Sequence, residues 1–145
     1  VAKGSSIKIA EMKIEQVPLE LVWQIRHEVM WPNHPLDFVK VADDLDGTHW
    51  GLMVGDECVS VISVFENGSE AQFRKFATLE KEQGKGYGSE LLEFVLENLR
   101  QKGTKRIWCN ARAEKAGFYR RFGMVETAHV FEKEGIAYVV MEIIH

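Results

Sequence analysis

The segment that most limits what this chain can fold into is EQGKGYGSEL, Glu82 to Leu91. Gly84, Gly86 and Gly88 alternate with other residues. An apolar stripe at helical spacing follows: Leu91, Leu92, Val95, Leu96 and Leu99. The first amides of such a helix have no intrahelical partners and carry the positive end of its dipole. Glycines let those amides turn toward an anion with no side chain in the way. Three glycines in five residues exceed what a tight strand-to-helix turn needs. The segment therefore reads as an anion-binding loop, and Lys102-Gly103 as the stop of its helix.

What surrounds the loop restricts the anion. A P-loop needs lysine followed by Ser or Thr, whereas Lys85 is followed by Gly86. A dinucleotide fingerprint counted from Gly84 meets Ser89 at its third glycine, and no acidic residue ends the next strand near Trp108. Upstream, Ser6 to Met12 alternates as a first strand, and Pro18 opens a helix that Trp31-Pro32 ends. Residues up to Asp46-Gly47 read as irregular or as a short helix. Three strands follow, HWGLMV, CVSVISVF and AQFRKFATL, separated by turns at Gly55-Asp56 and Asn67-Gly68. After the loop helix come a short buried strand, Arg106 to Asn110, and a helix, Ala113 to Phe122. Two final strands, Val125–Phe131 and Ile136–Ile144, flank the turn Glu134-Gly135. The expected class is α+β: a mixed, mostly antiparallel seven-stranded sheet flanked by helices. Its one parallel strand–helix–strand crossover surrounds the loop.

Composition removes other classes. The 145 residues suit one domain, 1–145, and 46% hydrophobic content suffices for a core. A net charge of −4 offers no general attraction to nucleic acid. No apolar run approaches the ~20 residues of a membrane span, and VAKGSSIKIA lacks a signal-peptide core. The reading is a soluble, cytoplasmic protein with no membrane partner. Cys58 and Cys109 form no CxxC pair, and the histidines show no paired spacing, so no metal site is expected. Asp37, Asp43, Asp44 and Asp46 lack an EF-hand pattern and read as a solvated acidic loop.

Gln83 to Gly88 matches Q/R-x-x-G-x-G/A, the acetyl-CoA signature of the GNAT N-acetyltransferase superfamily. AGFYRRFGM, Ala116 to Met124, resembles that family's A-x-x-F-Y-x-x-x-G-F, with Met124 for the last Phe. The order of elements is similar to the whole GNAT fold. Within the superfamily, RHEVMWPNHPL, FRKFATLE and WCNAR resemble segments of the glyphosate N-acetyltransferases.

This resemblance implies direct transfer of acetyl from acetyl-CoA to an amine, without a metal. It places the pyrophosphate on Gln83, Gly84, Lys85, Gly86, Tyr87, Gly88 and Ser89. Phe76, Thr78 and Asn110 would meet the pantetheine arm, and the Phe76 amide would polarise the thioester carbonyl. Tyr119 matches the tyrosine that protonates the leaving thiolate, a task its ordinary pKa near 10 suits. Arg26, Arg74 and Arg112 match arginines that hold the acceptor's carboxylate and phosphonate, a task for bidentate guanidinium groups. Arg26 interrupts an apolar helix face and requires a buried anion.

One position departs from the pattern. Where the glyphosate-type enzymes carry a basic histidine on the last strand, this chain has Tyr138, which binds an anion but is a poor base. His129, on the preceding strand, is off that position. The expected acceptor is a small anionic primary or secondary amine, of amino-acid or aminophosphonate type, for a monomer or homodimer. The alternatives are a non-catalytic acyl-CoA-sensing module and a protein N-acetyltransferase.

Overall fold

The computed structural model describes residues 11–145. Of the strand expected over Ser6 to Met12, residues 6–10 lie outside the described residues, and of the remaining two only Met12 is in a strand. The first described strand, β1, is Met12–Gln16. Helix α1, Leu19–Met30, starts at Pro18, whose carbonyl accepts the amides of Leu21 and Val22. It ends at Trp31, because the residue before a proline is disfavoured in helical conformation. Two single-turn 3-10 segments, Leu36–Val39 and Asp44–Asp46, interrupt the crossing that follows.

Strands β2 (Thr48–Val54), β3 (Glu57–Asn67) and β4 (Glu70–Thr78) form an antiparallel meander with turns at the two predicted glycine dipeptides. Helix α2, Tyr87–Gln101, buries the predicted stripe Leu91, Leu92, Val95, Leu96 and Leu99. Burying such side chains contributes roughly 1.5–3 kcal/mol each. Strand β5, Arg106–Arg112, lies parallel to β4. The sheet runs β1-β2-β3-β4-β5-β7-β6, where β6 is Val125–Lys133 and β7 is Ile136–Ile144. Among the described residues only the β4–β5 pair is parallel. Among the described residues no helix is long and apolar enough to cross a membrane.

The helix expected over Ala113 to Phe122 is shorter. A 3-10 turn, Ala113–Lys115, leads into α3, Ala116–Arg120. Arg121, Phe122 and Gly123 bond to carbonyls three residues back, which tightens the chain out of the α-helix.

Candidate active site

Strands β4 and β5 pair only at Glu70–Arg106, Ala71–Ile107 and Gln72–Trp108. Beyond Gln72 they part, and the site occupies the gap. A bulge on the other side of β4 assists the parting. Val61 pairs with Ala77 and Ser63 with Arg74, so Lys75 and Phe76 stand opposite the single residue Ile62. Lys75 holds φ 54°, a left-handed conformation that disfavours a side-chain-bearing residue by about 1–2 kcal/mol.

On the loop side lies a cavity of about 680 Å³. Gly84 and Gly86, at φ 82° and 87°, adopt conformations that favour glycine. No side chain caps α2, so the amides of Tyr87, Gly88 and Ser89 remain for an outside acceptor. Gly88 fits closely against β4: a Cβ there would stand 3.3 Å from both the Phe76 ring and Thr78 Oγ1. Gln83 Nε2 donates to the Thr78 carbonyl at 3.0 Å and ties the loop to the strand. Nine of the residues read as cofactor contacts line this cavity: Phe76, Thr78, Gln83, Gly84, Gly86, Tyr87, Gly88, Ser89 and Tyr119. Lys85 is not among them; its ammonium pairs with Glu82 at 3.0 Å. The free amides, left-handed glycines and close floor fit a pyrophosphate.

A second cavity, of about 640 Å³, meets the first across Phe76, Gln83, Lys115 and Tyr119. Arg74, Arg112, Asn110 and Tyr138 line it, so Asn110 faces this side of the gap and not the loop side. Arg112 and Tyr138 are cross-strand partners on β5 and β7, and Tyr138 stacks on Phe131. Arg74 lies over the Phe65 ring and donates through Nη1 to Asp43 at 3.1 Å and through Nε to Gln72 at 2.9 Å. Its Nη2 forms no hydrogen bond among the described residues. Tyr119, half-buried between the rings of Phe73 and Phe118, stands where the cavities join. Burial, then neighbouring Cys109, pushes its phenol above the ordinary value, so it stays protonated. Burial likewise pushes the Cys109 thiol up to about 12. His129 lines neither cavity.

Arg26 is a correction to the sequence reading. The anion that justifies its burial is Asp44 of the same chain, at 2.8 and 2.9 Å from Nη1 and Nη2. Nη1 also donates to the Val39 carbonyl and Nη2 to Ser63 Oγ, so both terminal nitrogens are committed internally. Asp44 is a second correction, because it is buried and not part of a solvated loop. Trp23 Nε1 and the Val41 amide also donate to it. Burial alone would raise its carboxyl. The bonds from Arg26, Trp23 and Val41, with the Arg26 charge, override that and bring it down to about 2. His49 extends the network, with Nε2 donating to the Asp44 carbonyl and Nδ1 accepting from Ser63. These residues fix the segment after α1 beside the second cavity.

Sequence reasoning missed Lys75, Lys115, Phe118 and Arg121 as lining residues. Strand alternation places Lys75 between Phe73 and Ala77, both buried; the bulge instead leaves it exposed. Nothing in a single sequence marks a bulge whose extra residue is not glycine. Lys115 and Arg121 had a signal in the basic pattern around Phe118-Tyr119.

Residues 38–145 match the family model described as an acetyltransferase (GNAT) domain. The chain is 26% identical over 140 residues to the uncharacterised N-acetyltransferase YitI of Bacillus subtilis, covering 90% of this chain and 94% of that protein. The fold is similar to that of a putative N-acetyltransferase from Lactobacillus plantarum, with TM-score 0.79, 18% identity and 93% and 97% of the two chains covered. It is also similar to Escherichia coli ElaA, with TM-score 0.76, 22% identity and 92% and 99% covered. The chain belongs to the GNAT acetyltransferase family, which uses acetyl-CoA, and is an N-acetyltransferase.

Proposed function

We propose that this enzyme acetylates a small anionic amine, of amino-acid or aminophosphonate type, by direct transfer. One observation carries the reading: Arg74, Lys75, Arg112 and Lys115 line the acceptor cavity, and no Asp or Glu does. Arg74 is paired with Asp43 and Arg112 lies 3.9 Å from Glu114, but Lys75 and Lys115 form no ion pair among the described residues, and that surplus favours an acceptor that brings its own negative charge. The likeness of FRKFATLE and WCNAR to the glyphosate-type enzymes agrees with it. Arg74 Nη2 and Arg112 would hold the acceptor's anionic group, with Tyr138 donating a further hydrogen bond.

The bound cosubstrate supplies an acetyl thioester, whose carbonyl carbon gains a bond to nitrogen as its bond to sulfur breaks. The amides of the glycine loop orient the pyrophosphate. The Phe76 amide, at the bulge, would donate to the carbonyl oxygen as charge develops there. Tyr119 would give its phenolic proton to the departing sulfur; burial keeps the phenol protonated before the step and also makes it a weaker acid than a free tyrosine. The proton lost by the amine passes to solvent, which restores Tyr119. No histidine lines the acceptor cavity, so the acceptor enters as the neutral amine.

An acceptor screen that reads thiol release from acetyl-CoA tests the proposal. Amino acids and aminophosphonates should outrun neutral amines and polyamines. A preference for polyamines would overturn the anionic assignment.

A further inference from the structure

The acceptor cavity continues past Lys75. A smaller cavity of about 220 Å³ adjoins it across Met30, Trp31 and Lys75, which line both. That volume is below the 300–1,000 Å³ of a whole ligand site, so it suits one part of an acceptor. Its apolar wall includes Phe38, Val39 and Val41 from the segment after α1. Lys133 and Glu134, at the β6–β7 turn, close the opposite side.

The charges there are not balanced. Lys40 is engaged by Asp37 at 2.8 Å, but Lys75 and Lys133 form no ion pair among the described residues. Arg26 Nε, buried on the same wall, is the one nitrogen of its guanidinium without a partner among the described residues. Among the described residues Glu134 is the only acid lining the space. Lys75 reaches this junction through a left-handed bulge residue, a strained conformation of the kind that persists at functional sites. Partial desolvation, then the charges of Arg26, Lys133 and Arg74, lower its ammonium from the ordinary value, with Asp44 opposing. That crowding is relieved by an incoming anion.

We propose that the smaller cavity is an acceptor subsite that takes an apolar arm ending in a carboxylate. In an acceptor of this length Lys75 and Lys133 hold the carboxylate that Arg74 and Arg112 hold in a shorter one, while the amine reaches Tyr119 through the larger cavity. This narrows the anionic-acceptor reading, on which it rests, to molecules longer than a free amino acid. An apolar dipeptide with a free C-terminus is the simplest member of the class.

The test compares L-alanine, alanyl-leucine and alanyl-leucinamide as acceptors in thiol release from acetyl-CoA. It uses the wild type, Lys133→Gln and Lys75→Gly, the last keeping a residue that accepts positive φ. Alanyl-leucine should exceed both alanine and the amide in kcat/KM by about tenfold, the worth of a charge-assisted hydrogen bond. In both variants that advantage should collapse toward one, through KM more than kcat. If the amide equals the acid, or alanine equals the dipeptide, the subsite is overturned while the anionic-acceptor reading stands. If polyamines outrun every anionic acceptor, that broader reading fails as well. Should no acceptor turn over, calorimetric titration of alanyl-leucine onto CoA-saturated protein decides. Heat that disappears in Lys133→Gln sustains the subsite, and no heat in the wild type overturns it.

Discussion

The donor and acceptor cavities share four lining residues yet are built by different means. The donor side comes mainly from one continuous run, Thr78 to Ser89, and offers main-chain amides held in place by left-handed glycines. The acceptor side gathers side chains from α1, β4, β5 and β7, and offers guanidinium, ammonium and phenol groups. A main-chain site depends on local conformation and tolerates side-chain change. A side-chain site depends on distant elements being held in register, here by the Arg26–Asp44 network behind it. The two sides should therefore respond to different substitutions, and Tyr119, common to both, should be the exception.

The largest effect is expected at Tyr119. Tyr119→Phe should lower kcat by about 10²–10⁴, the usual range for a lost general acid. CoA affinity, read by calorimetry, should stay close to the wild type. Unchanged turnover would remove Tyr119 from the chemistry and leave it as an aromatic spacer.

Next in size is the support of the acceptor side. Asp44→Ala leaves Arg26 buried and unpaired, which should cost about 3–5 kcal/mol in urea unfolding. Asp44 titrates at about 2 in the folded protein against an ordinary 3.8, so in acid the unfolded chain binds the proton first. Its contribution is complete above 3.8 and is lost as pH falls toward 2. Asp44→Asn should flatten that part of the pH–stability curve. An unaltered acid limb would mean that the network does not hold the segment.

The contrast also sets what was legible in the sequence. The donor loop and the stripe on α2 were readable, because their determinants lie within one turn or at one helical period. Arg26 was readable as a buried cation needing an anion, but its partner is 18 residues away, and no local pattern separates Asp44 from Asp43 or Asp46. Asp43 in fact serves Arg74 and is far more exposed. Lys75 was illegible for another reason. A period-two reading assumes an unbroken ladder, and the bulge breaks it at that residue. Strands β2 to β7 and the one parallel pair followed from turn residues and the right-handed crossover rule, both independent of such irregularities, whereas β1 shares only Met12 with the strand expected over Ser6 to Met12.

Gly86→Ala probes the donor side alone. A Cβ there meets no neighbour, so the penalty is the left-handed backbone, about 1–2 kcal/mol. CoA binding should weaken about tenfold, with little change in acceptor KM once CoA is saturating. Arg112→Ala is the reciprocal test: acceptor KM should rise three- to tenfold, about 1 kcal/mol, while CoA affinity holds. If either variant moved both affinities together, the cavities would be coupled and the division between them wrong.

The smallest effect separates main-chain from side-chain recognition within the loop itself. Lys85 sits between two of the glycines, and its charge makes it the obvious phosphate ligand. Its ammonium nevertheless pairs with Glu82, and the residue does not line the cavity. An exposed pair of this kind contributes about 0–1 kcal/mol. Lys85→Ala should therefore change the dissociation constant for CoA by less than about threefold at moderate salt. A larger loss, growing as salt is lowered, would show the ammonium leaving Glu82 for the pyrophosphate. The donor side would then rest on a side-chain cation as the acceptor side does, and the contrast between the two cavities would narrow to the glycines alone.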